Sequence, residues 1–256
     1  MINENNSTVN DSPEQQFAGR VNIGSVGNKN FHTEEAFKAL RTNILFKAAD
    51  IKTMLVTSCI PGEGKSTVSK DLARSFAELG KKTLLIDADL RKSVTLKNKN
   101  QNVLGLSELI SSQATVNKVL YKTQIDNLDI VFTGNFPPNP VELLSNSVFE
   151  SEINKFKDIY DIIIIDTPPL LPVIDAAVIG RVCDGALIVV APSMVKATDI
   201  KHIKEQIEKS GCNVLGVVVN EVNSTHKDLS KPYKRDYYYY SDGAKKGQKR
   251  SKSLNK

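Results

Sequence analysis

Four consecutive isoleucines closed by an acid, "IIIIDTPP" at 162–169, cannot belong to a half-exposed surface. A strand with one face in water alternates apolar and polar residues; one apolar at every position must be covered on both faces. The chain repeats the pattern in "TMLVTS", "KTLLIDAD", "LDIVFTG", "DGALIVVAP" and "NVLGVVVNEV". Between these runs lie stretches of helical periodicity: one from about Lys65 to Leu79, ended by Gly80, and others across 141–159, 173–182 and 196–210. Doubly buried strands alternating with helices predict a doubly wound α/β fold, a parallel sheet with helices on both sides. With 256 residues and 40 % hydrophobic content, the chain suffices for one sizeable core. Before the first strand, "TEEAFKALRTNILFKAAD" (33–50) reads as an amphipathic helix N-capped by Thr33.

The ends differ from this body. Residues 1–30 are polar and predicted to be disordered, 31–222 form the domain, and 223–256 are a tail too poor in hydrophobics to build a core. Lys227 to Lys256 carry ten Lys/Arg against three Asp, a balance of +7 out of a chain total of +5, so the body is near neutral. No basic-then-apolar leader and no run of 18 apolar residues occurs, and the three cysteines are odd in number and widely spaced. A cytoplasmic chain with reduced thiols is expected.

"SCIPGEGKST" (58–67) follows the first apolar strand and opens a helix. It matches the P-loop pattern G-x-x-x-x-G-K-[ST] except that Cys59 replaces the first glycine. Gly62 and Gly64 can turn successive backbone N–H groups inward at a helix N-terminus, which makes an anion nest. Pro61 stiffens the loop, and Glu63 and Thr67 complete the expected phosphate-binding run from Pro61 to Thr67. Lys65 is placed to reach the β- and γ-phosphates, and the Ser66 hydroxyl to ligate Mg²⁺. Asp87 and Asp89, in "LLIDADLR", and Asp166 end two further strands. Ligands of open parallel sheets bind beyond the carboxyl ends of the strands, so the three carboxylates converge on the loop. One such carboxylate could merely cap a helix; three beside a P-loop indicate a metal–nucleotide site. The guanine-specific N-K-x-D pattern does not follow the last strand, which favours ATP.

The set "IPGEGKS", "LLIDADLR" and "IIIIDTPP", with the tyrosine cluster "RDYYYYSD" (235–242), resembles the bacterial tyrosine kinases of capsule and exopolysaccharide synthesis. The similarity is to their stand-alone Gram-positive form, and "GNFPPNPVELLSN" (134–146) looks like another family segment. The resemblance implies a P-loop NTPase of the deviant-Walker, partition-ATPase-like type. It implies that Lys65 and Ser66 hold phosphates and Mg²⁺, that Asp89 and Asp166 organise the metal, and that Asp87 orients and deprotonates a tyrosine. It also implies a membrane-embedded activator that recruits the chain to the inner face of the membrane, further protein substrates in polysaccharide synthesis, and assembly into a homo-oligomeric ring. "EEAFKALRTN" resembles the family's E-x-x-R-x-x-R oligomerisation motif at Glu35 and Arg41, with Lys38 in place of the first arginine. Lysine keeps the charge there and loses the bidentate fork.

Five of the seven tyrosines, Tyr233 and Tyr237, Tyr238, Tyr239 and Tyr240, lie in the tail. A tyrosine near pKa 10 is a poor nucleophile at neutral pH and needs a base and an in-line phosphate. The linker from Asn220 to Tyr237 spans at most roughly 55–60 Å when extended and about 20–25 Å as a coil. Either length lets the cluster enter a neighbouring subunit's site, so autophosphorylation in trans is the expectation. The rival is a positioning or partition ATPase that switches by nucleotide-dependent dimerisation. Those proteins carry a lysine two residues before the Gly-x-Gly of their loop, where this chain has Ile60. No specific nucleic acid is expected, although a basic tail by itself attracts one nonspecifically.

Overall fold

A computed structural model of the chain describes residues 17–23, 31–92, 103–192 and 194–221. The tail with its five tyrosines lies outside these residues. The described strands are β1 (Gly19–Arg20), β2 (Thr53–Ser58), β3 (Thr83–Asp87), β4 (Leu120–Lys122), β5 (Leu128–Val131), β6 (Ile162–Asp166), β7 (Gly185–Val190) and β8 (Val214–Val219). They form one sheet in the order β1-β4-β5-β3-β6-β2-β7-β8. All neighbours run parallel except β4 and β5, which pair antiparallel through Tyr121 and Ile130. The helices are α1 (Phe31–Lys47), α2 (Lys65–Glu78), α3 (Leu106–Ile110), α4 (Val116–Val119), α5 (Pro140–Leu144), α6 (Ser147–Ile159), α7 (Asp175–Gly180) and α8 (Ala197–Lys209).

The isoleucine run explains the layering. Ile163 and Ile165 point into a core shared with Phe149 and Phe156 of α6, Ile179 of α7 and Ile203 and Ile207 of α8. Ile162 and Ile164 point the other way, into a core with Ile44 of α1 and Val68, Leu72 and Phe76 of α2. The same alternation divides Leu55 from Met54 and Val56, and Ile188 from Leu187 and Val189. Every residue of β2, β3, β5, β6 and β7 is buried, as strands covered on both sides require. β8, at the edge of the sheet, leaves Val217 and Val219 exposed although its sequence is as apolar as the rest.

Three local expectations are corrected. Residues 17–23 fall within the segment predicted to be disordered, yet Gly19 and Arg20 pair with Tyr121 and Lys122. Phe17 packs on one core and Val21 and Ile23 on the other, which holds them at the sheet edge. α1 begins at Phe31, so Thr33 lies inside the helix and does not cap it. The stretch 141–159 is two helices, because the Asn146 side chain accepts the Phe149 N–H and starts α6 anew. The short strand β4 and the helices α3 and α4 carried no periodic signal long enough to predict.

Candidate active site

The chain passes from β2 to β3 on one side of the sheet and reaches β7 on the other, so a crevice opens beyond the carboxyl end of β2. The loop from Cys59 to Gly64 leaves β2 there and enters α2. Gly62 and Gly64 hold φ of +94° and +81°, a conformation that costs an L side chain its Cβ clearance. At Gly64 a Cβ would also lie 2.0 Å from Asn220 Nδ2, so any other residue would have to displace the Asn220 side chain. Cys59 is absent from the positive-φ positions and wholly buried, and burial pushes its thiol up to about 12. It serves as a small core residue, which explains why the first P-loop glycine is dispensable here.

Lys65 is the first residue of α2 and only 8 % exposed. Its Nζ stands 3.4 Å from Asp89 Oδ2, 3.8 Å from Asp166 Oδ1 and 3.4 Å from Ser66 Oγ. Asp89 Oδ1 accepts from the backbone N–H groups of Arg91 and Lys92, and Asp87 Oδ1 from that of Asp89. Ser69 Oγ donates to Asp166 Oδ1 at 3.2 Å. Burial is the chief cause that pushes the Asp166 carboxyl up to about 6; the Lys65 ammonium pulls it down and the Asp87 charge adds to the rise. A buried carboxylate beside a second one needs a cation, and one lysine serves both Asp89 and Asp166.

The side chains expected at the loop do not all face one way. Ser66 is half-buried beside Lys65, and Pro61, Gly62 and Thr67 are exposed. Glu63 is turned inward and fully buried: its carboxylate accepts from the N–H groups of Ile60 at 2.8 Å and Ala191 at 3.3 Å. Asn220 at the end of β8 donates to the Glu63 carbonyl at 3.0 Å, so the loop is tied to two strands. Glu63 shapes the loop, and only its backbone is left to meet a phosphate. On α1, Glu35 and Lys38 pair with each other at 2.7 Å, and the Arg41 guanidinium donates to the Ser75 carbonyl of α2.

Sequence reasoning missed three supporting side chains. Ser69 sits one helical turn after Lys65, a spacing that could have pointed to it. Asn220 ends the last strand on the crevice side. Asp175, wholly buried at the start of α7, accepts both Arg91 Nε and Nη2 at 2.9 Å. This fork ties the turn that carries Asp89 to the segment that follows Asp166, and 84 residues of sequence separation hide it.

The residues fit a metal-bound nucleotide. The N-terminus of α2, 14 residues long, has no side-chain cap, so its N–H groups suit an anion. Among the described residues no three His, Cys, Asp or Glu side chains are arranged to hold a metal by themselves. Mg²⁺ in nucleotide sites is held by one or two carboxylates acting with phosphate oxygens and water.

The AAA domain family profile matches residues 51–216. The tyrosine-protein kinase CpsD of Streptococcus agalactiae is 43 % identical over 210 residues, covering 80 % of this chain and 91 % of that protein. The crystal structure of the chimerical protein CapA2B2 superposes with a TM-score of 0.72 at 32 % identity, covering 81 % of this chain and 95 % of the other. The septum site-determining protein MinD of Pyrococcus horikoshii is more distant, with a TM-score of 0.56 at 25 % identity, covering 66 % of this chain and 69 % of the other. The positioning ATPases thus share the deviant-Walker fold, while the kinases share sequence along nearly their whole length: the chain belongs to the stand-alone bacterial tyrosine-protein kinases.

Proposed function

We propose that this chain transfers the γ-phosphoryl group of Mg-ATP to tyrosines, first of all to Tyr233 and Tyr237–Tyr240 of a neighbouring copy. The observation that carries the reading is the convergence of Lys65, Asp89 and Asp166 at the mouth of an uncapped helix. Lys65 draws the transferring phosphate into place and neutralises its charge; the P-loop N–H groups bind the remaining oxygens. Ser66, Asp89 and Asp166 are the residues that would hold Mg²⁺, which when bound would supply charge neutralisation. Asp87 orients the tyrosine hydroxyl and accepts its proton.

The two tyrosines outside the tail support the choice of acceptor. Tyr160 is 2 % exposed and its hydroxyl donates to Asp129 at 2.8 Å. Tyr121 is half-buried, with its hydroxyl directed at the Leu104 carbonyl. Burial pushes both phenols above their ordinary value, which makes them poorer nucleophiles still. Phosphates on the tail, each about −1.5 to −2 charges, repel the carboxylates of the site and loosen the copies from one another. Among the described residues no helix is long and apolar enough to cross a membrane. Kinship with the capsule kinases supports stimulation by a membrane-embedded activator with a cytoplasmic docking segment, in the setting of capsular or exopolysaccharide synthesis.

The test is to incubate the chain carrying Phe at Tyr233 and Tyr237–Tyr240 with a Lys65→Met chain and γ-labelled Mg-ATP. Label on the tail tyrosines of the Lys65→Met chain is the expected result. Label confined to Tyr121 or Tyr160, or none, refutes transfer in trans to the tail.

A further inference from the structure

An open cleft of about 520 Å³ lies between α3 and the segment from Asn135 to Asn146. One wall follows β5, the strand beside β3, and the other, α3, is hydrogen-bonded to the same end of β5. Leu106 and Ser107 at the start of α3 donate their N–H groups to the carbonyls of Phe132 and Thr133. Thr133 Oγ1 in turn donates to the Asp87 carbonyl at 3.4 Å. The backbone that carries the cleft is thus linked through Thr133 to the end of β3, where Asp87 stands.

Its chemistry is one-sided. Glu108 and Glu142 contribute carboxylates, and no described lining residue is basic. Glu108 is 4 % exposed and accepts the N–H groups of Gly105 and Asn135 and the Asn135 amide, which fixes the wall without cancelling its charge. Glu142 is exposed and accepts only from Asn139 Nδ2 among the described residues. At the base, Ser107 is 95 % removed from solvent, and its Oγ is buried with no hydrogen-bond partner in the described structure. A buried hydroxyl in that state is unfavourable until a partner satisfies it. The remaining wall, Phe136 with Pro137 and Pro138, is apolar, and Phe136 is 59 % exposed. Two consecutive prolines hold that wall stiff, so little ordering is needed when it is covered.

Carboxylates beside a rigid apolar wall suit lysine, whose methylene stem lies on apolar surface while its ammonium seeks an anion. The sequence around the tyrosine cluster supplies it: Lys234 and Arg235 precede Tyr237, and Lys245 and Lys246 follow Tyr240. At about 3.3 Å per extended residue, a lysine five residues from the acceptor stands up to about 16 Å along the strand from it. We propose that this cleft is a docking subsite for the lysine-bearing flank of a tyrosine substrate strand, resting on the kinase reading above. It accepts the basic, unphosphorylated strand and repels it once phosphates have reversed its charge. The family segment at 134–146 thereby gains a role in choosing substrate, one step away from the chemistry.

The experiment reverses charge on each side. The Phe-substituted kinase chain, with and without Glu142→Lys, is mixed with Lys65→Met acceptor chains whose tails are native or carry Lys245→Glu and Lys246→Glu. Glu142→Lys is expected to lower kcat/KM on the native tail about tenfold at low salt, through KM, and to regain most of it on the reversed tail. The KM for ATP should stay as it was. Equal effects on both tails, no effect on either, or a changed ATP KM overturns the subsite. A kinase that labels neither tail even with Glu142 intact refutes transfer in trans instead. Docking is then read from the anisotropy of a fluorescent peptide of residues 231–250: weaker binding to the Glu142→Lys or Glu142→Gln chain supports the cleft, and equal binding overturns it.

Discussion

The tips of the central strands and the outer face of α1 both carry charged residues that the family resemblance singles out, and they are built in opposite ways. At the strand tips, Lys65, Asp87, Asp89 and Asp166 are all at most 8 % exposed, and the ends of three elements meet there. On α1, Glu35 and Lys38 lie on solvated surface and pair over a single helical turn. A buried charge is set by its neighbours and punishes the loss of any of them. A surface pair is screened, loses side-chain entropy in forming, and adds little to the fold. Charge that does so little for the fold is free to serve another copy of the chain. The comparison teaches that burial, more than charge, separates the two sets of residues.

The comparison breaks first at Lys65. Lys65→Met should cost at least about 100- to 1,000-fold in phosphotransfer, with a retained circular dichroism spectrum, because the buried carboxylates can take up protons in place of the lost cation. Activity within tenfold of the original would show that the strand tips are not the site. Arg91→Lys comes next. It keeps the charge and loses the fork on Asp175, so the turn carrying Asp89 is less firmly set, and kcat should fall about 10- to 100-fold with little change in the ATP KM. An unchanged kcat would reduce the fork to a stability element.

Tyr160→Phe sharpens the contrast between burial and charge away from the site. Burial holds the Asp129 carboxyl above its usual range, and the Tyr160 hydroxyl opposes that rise. The folded protein thus binds this proton more tightly than the unfolded chain, so Asp129's contribution to stability declines as pH rises from the unfolded value through the raised one. Removing the hydroxyl should cost about 1–3 kcal/mol at neutral pH and less at a pH low enough to protonate the carboxyl. Urea titrations at the two pH values check it; an equal loss at both would mean that packing, not the hydrogen bond, is at stake. Smallest of all on the fold is Glu35→Gln with Lys38→Gln, for which the melting temperature should not change. Light scattering should nevertheless show smaller assemblies; an unchanged particle size would remove α1 from the interface.

Much of this was legible because the signals were local. Apolar runs of five or six residues gave six of the strands, and the glycines of the P-loop gave the crevice, since backbone conformation and burial are written into neighbouring residues. β8 shows the limit. Its composition matches the buried strands, and only its place at the sheet edge exposes Val217 and Val219. β1 shows the converse, a pair of residues without strand character that is held in place by its partner Tyr121–Lys122.

The sequence by itself determined the layered α/β body, the phosphate loop and the identity of the four charged residues at its mouth. Three things were decided only by the tertiary structure: that Glu63 faces inward, that Asp175 holds Arg91, and that α3 and the 134–146 segment line an open acidic cleft. Each depends on residues far apart in the chain meeting at the end of one sheet. Strand order, which no local pattern encodes, fixes that meeting: β5 lies beside β3 and β7 beside β2 because helices of both faces bury their apolar sides only in that arrangement.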